Sequence, residues 1–226
     1  MTEDMPAQSA PLPEAILAQT TAFLEAYAAW GKGGDPVLDP GTLLRMDPDD
    51  FEAGAMIFRM RAQFIRRFGF CAPSAQFLDI LLPLGPVIEI GAGRGFLSHL
   101  LRNAGGDAIA TDIDPFGMSG YGQASTESWL PVWHMDAVTA VDQHRDRTVL
   151  CSWPSLGGEW IATAACVMAS GQTLALIGEN CGGATGCDNL FDILERDFTP
   201  LDIDGTDAAI WQFPGIHDRL RIFRKG

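Results

Sequence analysis

Val87-Ile88-Glu89-Ile90-Gly91-Ala92-Gly93-Arg94-Gly95-Phe96 is a short apolar run that breaks into alternating glycines. Val87 to Ile90 follows Gly85-Pro86 and has the β-branched profile of a strand buried in a parallel sheet. After the glycines, Phe96-Leu97-Ser98-His99-Leu100-Leu101 resumes with helical spacing. A strand that turns through glycines into a helix brings bare backbone and a helix N-terminus to one edge of a sheet. Asp107-Ala108-Ile109-Ala110-Thr111-Asp112 reads as a second strand whose terminal carboxylate stands beside that turn, placed to accept hydrogen bonds from ribose hydroxyls. These are the parts of a nucleoside site.

The spacing narrows the nucleoside. A dinucleotide fingerprint runs G-x-G-x-x-G, whereas the glycines here are Gly91, Gly93 and Gly95, with Glu89 two residues before the first. E-x-G-x-G-x-G followed by Asp112 resembles motif I and the acidic second strand of class I S-adenosylmethionine-dependent methyltransferases. A carboxylate near the loop suits a cofactor carrying a sulfonium and an α-amino group, and repels a pyrophosphate. A glycine turn that only packs helix on strand is the alternative, and Glu89 and Asp112 at their offsets weigh against it. The resemblance implies S-adenosylmethionine as cofactor and contacts to it from Glu89, Gly91, Ala92, Gly93, Gly95, Asp112, Ile113, Asp136, Ala137 and Trp153.

At 226 residues the chain suits one domain with an appendage. The net charge of −14 argues against unaided nucleic-acid binding and suits a small-molecule, peptide or cationic acceptor. The acidic start Met1-Thr2-Glu3-Asp4 lacks the regions of a signal peptide. The uncharged run Trp160 to Gly178 has the length of a membrane span, but Ser170-Gly171-Gln172-Thr173 splits it into a helix and a buried strand. The five cysteines are odd in number and lack C-x-x-C spacing, the pattern of reduced thiols in a cytoplasmic protein. Cys181 and Cys187 have no neighbouring histidine to complete a metal site.

Residues 1–84 read as a helical extension, with 1–13 disordered, and residues 85–226 as the nucleotide-binding core. Glu14 to Trp30 spaces Ile16, Phe23, Tyr27 and Trp30 helically, and Gly31-Lys32-Gly33-Gly34 ends that helix. Val37 to Met46 is ambiguous. Asp47-Pro48-Asp49-Asp50 caps a helix to about Phe68, whose Arg59, Arg61, Arg66 and Arg67 suit its C-terminal dipole or form a solvated face. Ser74 to Leu82 forms one more helix. Phe116 to Ser128 gives no firm helix. Leu130 to His134 is a third strand with Asp136 after it. An acid there accepts from the adenine amino group in the family, or caps the next helix. Thr148 to Ser152 and Thr173 to Gly178 are strands four and five, separated by a helix, Gly158 to Ala169. A helix follows at Asp188 to Asp197. Phe198 to Ile203 and Arg219 to Arg224 are two further strands without a helix between them, which matches the antiparallel last strand of the methyltransferase sheet. The expected fold is therefore α/β, a Rossmann-like, mostly parallel methyltransferase sheet.

Three segments belong at the carboxyl edge, where open α/β sheets bind ligands. Ser152-Trp153-Pro154-Ser155 departs from the N/D-P-P-Y of amino-methyltransferases, and Trp153 either walls the pocket or packs in the core. Glu179-Asn180 opens onto the glycine-rich loop 182–186, a lid or a surface turn. Phe213 to Asp218 carries His217, either a general base or a structural histidine, with His134 as the second candidate base. The post-strand motifs also look like those of an uncharacterised methyltransferase-like group over roughly Phe64 to the C-terminus. Methyl transfer to a small-molecule or peptide acceptor is the leading expectation. The competing classes are a nicotinamide-dependent oxidoreductase, which the glycine spacing opposes, and a cofactor-binding protein without turnover.

Overall fold

The computed structural model describes residues 14–34, 60–115, 127–213 and 215–226, with side chains from residue 21 onward. The disordered lead-in, the segment 37–46, the Asp47 cap and most of 116–128 lie outside the described residues. In chain order the elements are α1 (Glu14–Gly31), α2 (60–67), β1 (Ala72–Pro73), α3 (Ala75–Leu81), β2 (Val87–Ile90) and α4 (Phe96–Asn103). There follow β3 (Ala108–Asp112), β4 (Val132–His134), α5 (Ala137–Gln143), β5 (Thr148–Ser152), α6 (Glu159–Val167) and β6 (Thr173–Gly178). The chain closes with α7 (Asp188–Asp197), β7 (Phe198–Leu201), β8 (Ile210–Trp211) and β9 (Arg219–Lys225).

Seven strands form one sheet in the order β4-β3-β2-β5-β6-β9-β7. The pairs from β4 across to β6 are parallel, and β9 runs antiparallel to both β6 and β7. This is the Rossmann-like, class I methyltransferase type of sheet expected from the two helix-free closing strands. The uncharged run from Trp160 divides into α6, a turn, and β6, and no helix among the described residues is long and apolar enough to cross a membrane.

Strand alternation sends successive side chains to opposite faces. Val87 joins the core under α1, α2, α3 and α4, while Ile88 and Ile90 join the one under α5, α6 and α7. The N-terminal helices are therefore one outer layer of the α/β/α stack, sharing a continuous core with α4, β2 and β9. Tyr27 is the centre of that layer. It is fully buried against Trp30, Phe64, Phe68 and Phe96, and its hydroxyl donates to the Pro73 carbonyl at 2.7 Å. A small second sheet pairs β1 with β8 antiparallel, Ala72 opposite Trp211. Two-residue strands carry no periodicity, so nothing in the sequence signals it.

Register sets the site. Ile90 stands opposite Thr111 and Cys151, and Asp112 opposite His134, so the loops after β2, β3, β4 and β5 leave the sheet at one edge. Gly178 pairs with Arg219, which brings the segment before β9 to that same edge.

Candidate functional site

A cavity of about 600 Å3 opens at the carboxyl edge, over the β2–α4 loop. One end is walled by Gly91 to Arg94, Asp112 to Asp114 and Met135 to Val138, the other by Phe70, Cys71, Ser152, Trp153, Ser155 and Leu156. Of the residues expected to bind the cofactor, Glu89, Gly91, Ala92, Gly93, Asp112, Ile113, Asp136, Ala137 and Trp153 all line it.

The three glycines do different work. A Cβ on Gly95 would meet Val132, Leu130 and Ala110 at 3.2 to 3.4 Å, so this residue lets α4 approach the sheet and does not line the cavity. A Cβ on Gly91 would meet the Trp160 ring at 2.9 Å. At Gly93, with φ +53°, no atom lies within 4 Å of that position, and the space is the cavity itself.

Asp112 is already oriented. Its Oδ2 accepts from the Gly93 N–H at 2.8 Å and its Oδ1 from the Asp114 N–H at 2.7 Å, leaving a lone pair on each oxygen for a ligand. Asp136 caps α5, accepting from the Thr139 N–H at 3.0 Å and its hydroxyl at 2.6 Å. The helix-cap alternative is thus observed, at a position that still faces the cavity.

Glu89 is buried beneath α4, and its Oε2 accepts from the Ser98 N–H at 3.0 Å and hydroxyl at 2.6 Å. It satisfies a first-turn amide of a helix whose cap, Gly95, has no side chain to do so. Burial pushes its carboxyl up to about 7, against the pull of the two Ser98 bonds. The native state therefore binds more protons than the unfolded chain between the ordinary carboxyl range and pH 7. Stability from this group falls as pH rises through that window, by about 3 kcal/mol in all. Glu89→Gln is expected to stabilise the protein at pH 8 and to leave it nearly unchanged at pH 4. Urea titrations at the two pH values check this, and an equal difference at both would exclude Glu89 as the source.

At the other end Trp153 adopts φ +53°, a conformation costly for a non-glycine residue and held only where the surroundings dictate it. Its ring stacks on Phe70 with centroids 5.1 Å apart, and the Arg61 guanidinium lies 4.8 Å from its centroid. Arg61 is thus buried, not part of a solvated face. Behind Trp153 lies Asp218, also buried, with no hydrogen bond to either carboxylate oxygen among the described residues. Burial pushes it up to about 6, offset by Trp153 and Arg61, the indole N–H lying near it but outside hydrogen-bond geometry. Ser152 donates to the Cys71 sulfur at 3.1 Å, and burial pushes the Cys71 thiol far up.

The loop 182–186 is not a free lid. Thr185 bridges to Ser155, Gly157 donates to the Gly186 carbonyl at 2.8 Å, and Gly186 donates to Pro154 at 2.9 Å. Glu179 staples it further, accepting from the Ala184 N–H at 2.7 Å and the His217 N–H at 2.8 Å, bonds that hold its carboxyl below the usual range.

The segment that carries His217 reaches the carboxyl edge of the parallel strands, yet the His217 side chain is exposed and does not line the cavity. His134 is exposed on the edge strand β4 and does not line it either. The sheet edge follows from chain order, but the direction of one side chain on a loop does not. Phe70 and Cys71, missed in the sequence, reach the wall from the turn after α2, a segment with no motif. Trp160 lines it too, donating from Nε1 to Ser155 at 3.2 Å.

The sheet order, the antiparallel β9 and the glycine loop define the molecule as a class I methyltransferase type of fold. No protein-family model matches the chain, and no curated protein does. Among solved structures it is similar to a SAM-dependent methyltransferase from Anabaena variabilis, at 12% identity over 99% of this chain and 100% of that one, TM-score 0.41. A SAM-dependent methyltransferase from Archaeoglobus fulgidus is similar at 14% identity over 75% of this chain and 94% of that one, TM-score 0.41. So is 1,6-didemethyltoxoflavin-N1-methyltransferase from Burkholderia thailandensis, at 17% identity over 96% of this chain and 93% of that one, TM-score 0.40.

Proposed function

We propose that the chain transfers a methyl group from S-adenosylmethionine to a small-molecule acceptor. The observation that carries this reading is the charge and shape of the loop wall. Asp112, Asp114 and Asp136 line one cavity as carboxylates, with Glu89 buried at its base, and Asp112 takes the Gly93 amide that a phosphate would need. That wall attracts a sulfonium and an ammonium and repels a pyrophosphate, which disfavours a nicotinamide cofactor. The free lone pairs of Asp112 suit the ribose hydroxyls, and the open space over Gly93 suits close approach of the cofactor's amino-acid half. Ile113, an apolar side chain 63% exposed on the same wall, suits the adenine face, and Asp136 its amino group.

When bound, adenosylmethionine supplies an electrophilic methyl group. The chain's part is to hold the two reactants in line and exclude water, worth up to about 7–11 kcal/mol in favourable cases. Phe70 and Trp153 form a flat apolar wall beyond the loop, with Ser152 as its polar atom, which suits an acceptor with an aromatic or aliphatic body. The pinned 182–186 loop favours a small molecule over a peptide.

Calorimetry tests the cofactor. Adenosylhomocysteine is expected to bind and NAD not to, and Asp112→Ala is expected to weaken binding by roughly 1.5–3 kcal/mol, the worth of hydrogen bonds to a charged group. Wild-type affinity in a folded Asp112→Ala protein removes the ribose role. A second reading, a cofactor-binding protein without turnover, draws on the position of both histidines off the cavity. Cofactor binding with no methylated product across a broad acceptor panel would favour it.

A further inference from the structure

A second cavity, of about 510 Å3, lies where the end of α2 meets α4 and the turn after α1. Lys32, Arg66, Arg67 and Arg94 stand on its wall, together with Trp129. The chain has 15 lysines and arginines against 29 acidic residues, so four cations on one concave surface oppose the mean field of the molecule. Two carboxylates temper them: Glu25 pairs with Arg67 at 2.8 Å, and Glu127 shares the wall.

Arg94 is the telling residue. It belongs to the glycine loop, is buried, and donates to the Arg66 backbone carbonyl. Among the described residues no carboxylate forms an ion pair with it. Burying a guanidinium without a counter-charge costs stability that an incoming anion restores. Trp129 is fixed beside it, its backbone N–H donating to the Arg94 carbonyl and its indole N–H to the Arg67 carbonyl, both at 2.9 Å.

We propose that this cavity binds a small phosphate-bearing ligand, with Arg94 and Arg66 as charged donors and Trp129 as a flat side wall. Among the described residues, four cations less two carboxylates leave a charge that a phosphate dianion balances, and guanidinium groups match phosphate oxygens in paired geometry. The volume lies within the roughly 300–1,000 Å3 of small-molecule sites. Arg94 lines both cavities, but the site does not rest on the methyltransferase reading.

Calorimetry of the full chain, at low salt and without adenosylmethionine, uses inorganic phosphate and phenyl phosphate as probes. Saturable binding of at least one is expected, weakened by added salt. Arg66→Gln alone and Lys32→Gln with Arg66→Gln change exposed side chains. The double variant is expected to lose affinity by about tenfold or more, since charge-assisted bonds are the strong ones. Tighter binding of phenyl phosphate identifies an organic phosphate ester as the ligand, and tighter binding of phosphate identifies the free ion. Absence of saturable binding by either probe, or unchanged affinity in both variants, overturns the proposal. Adenosylhomocysteine affinity of the double variant, expected within about twofold of wild type because neither Lys32 nor Arg66 lines the first cavity, separates this failure from failure of the cofactor site.

Discussion

A Gly93→Val protein is expected to fold and to lose measurable affinity for adenosylmethionine and adenosylhomocysteine. Backbone strain at φ +53° costs a β-branched residue about 1–3 kcal/mol, which a domain with about 5–15 kcal/mol of stability survives. No neighbouring atom is struck, because the new Cβ enters the cavity where the cofactor backbone would lie. Gly95→Val makes the control. Its Cβ presses on Val132, Leu130 and Ala110, so it is expected to lower the melting temperature rather than act on the ligand directly. Calorimetry and thermal melts of the pair decide the matter. Near-normal cofactor binding by folded Gly93→Val would reduce the glycine to a structural turn.

Tyr27→Ala is expected to give the largest loss of stability, about 3–5 kcal/mol, the range for truncating a large buried aromatic side chain. In a chain of this size that lowers the melting temperature by roughly 10 °C. Tyr27→Phe keeps the packing and forfeits only the bond to the Pro73 carbonyl, so about 1 kcal/mol is expected from it. Because Tyr27 shares one core with Phe96, Val87 and Ile222, both variants are expected to unfold in a single transition. A separate early transition in Tyr27→Ala, with the remainder melting as in wild type, would show the N-terminal helices to be an independent unit.

Local chemistry made part of this molecule legible in advance. The run Val87 to Ile90, the alternating glycines and Asp112 are signals close together in the chain: a buried strand, a left-handed turn that favours glycine, and a carboxylate one strand away. Two closing strands without a helix between them imply an antiparallel last strand, and the β9 register with β6 agrees. The direction of a side chain beyond a strand end is different in kind. His217 and Asp218 are neighbours in sequence, yet one is exposed and the other buried behind Trp153. The opposite wall is set by contacts between segments far apart in the chain. Phe70 meets Trp153, Arg61 covers the same ring, and Gly186 is tied to Pro154. The sequence by itself determined the sheet, the glycine loop and the carboxylates along it, because periodicity and φ demands act over a few residues. Only the tertiary structure decided what lines the far end of the cavity, because that depends on how two helical layers close over one sheet edge.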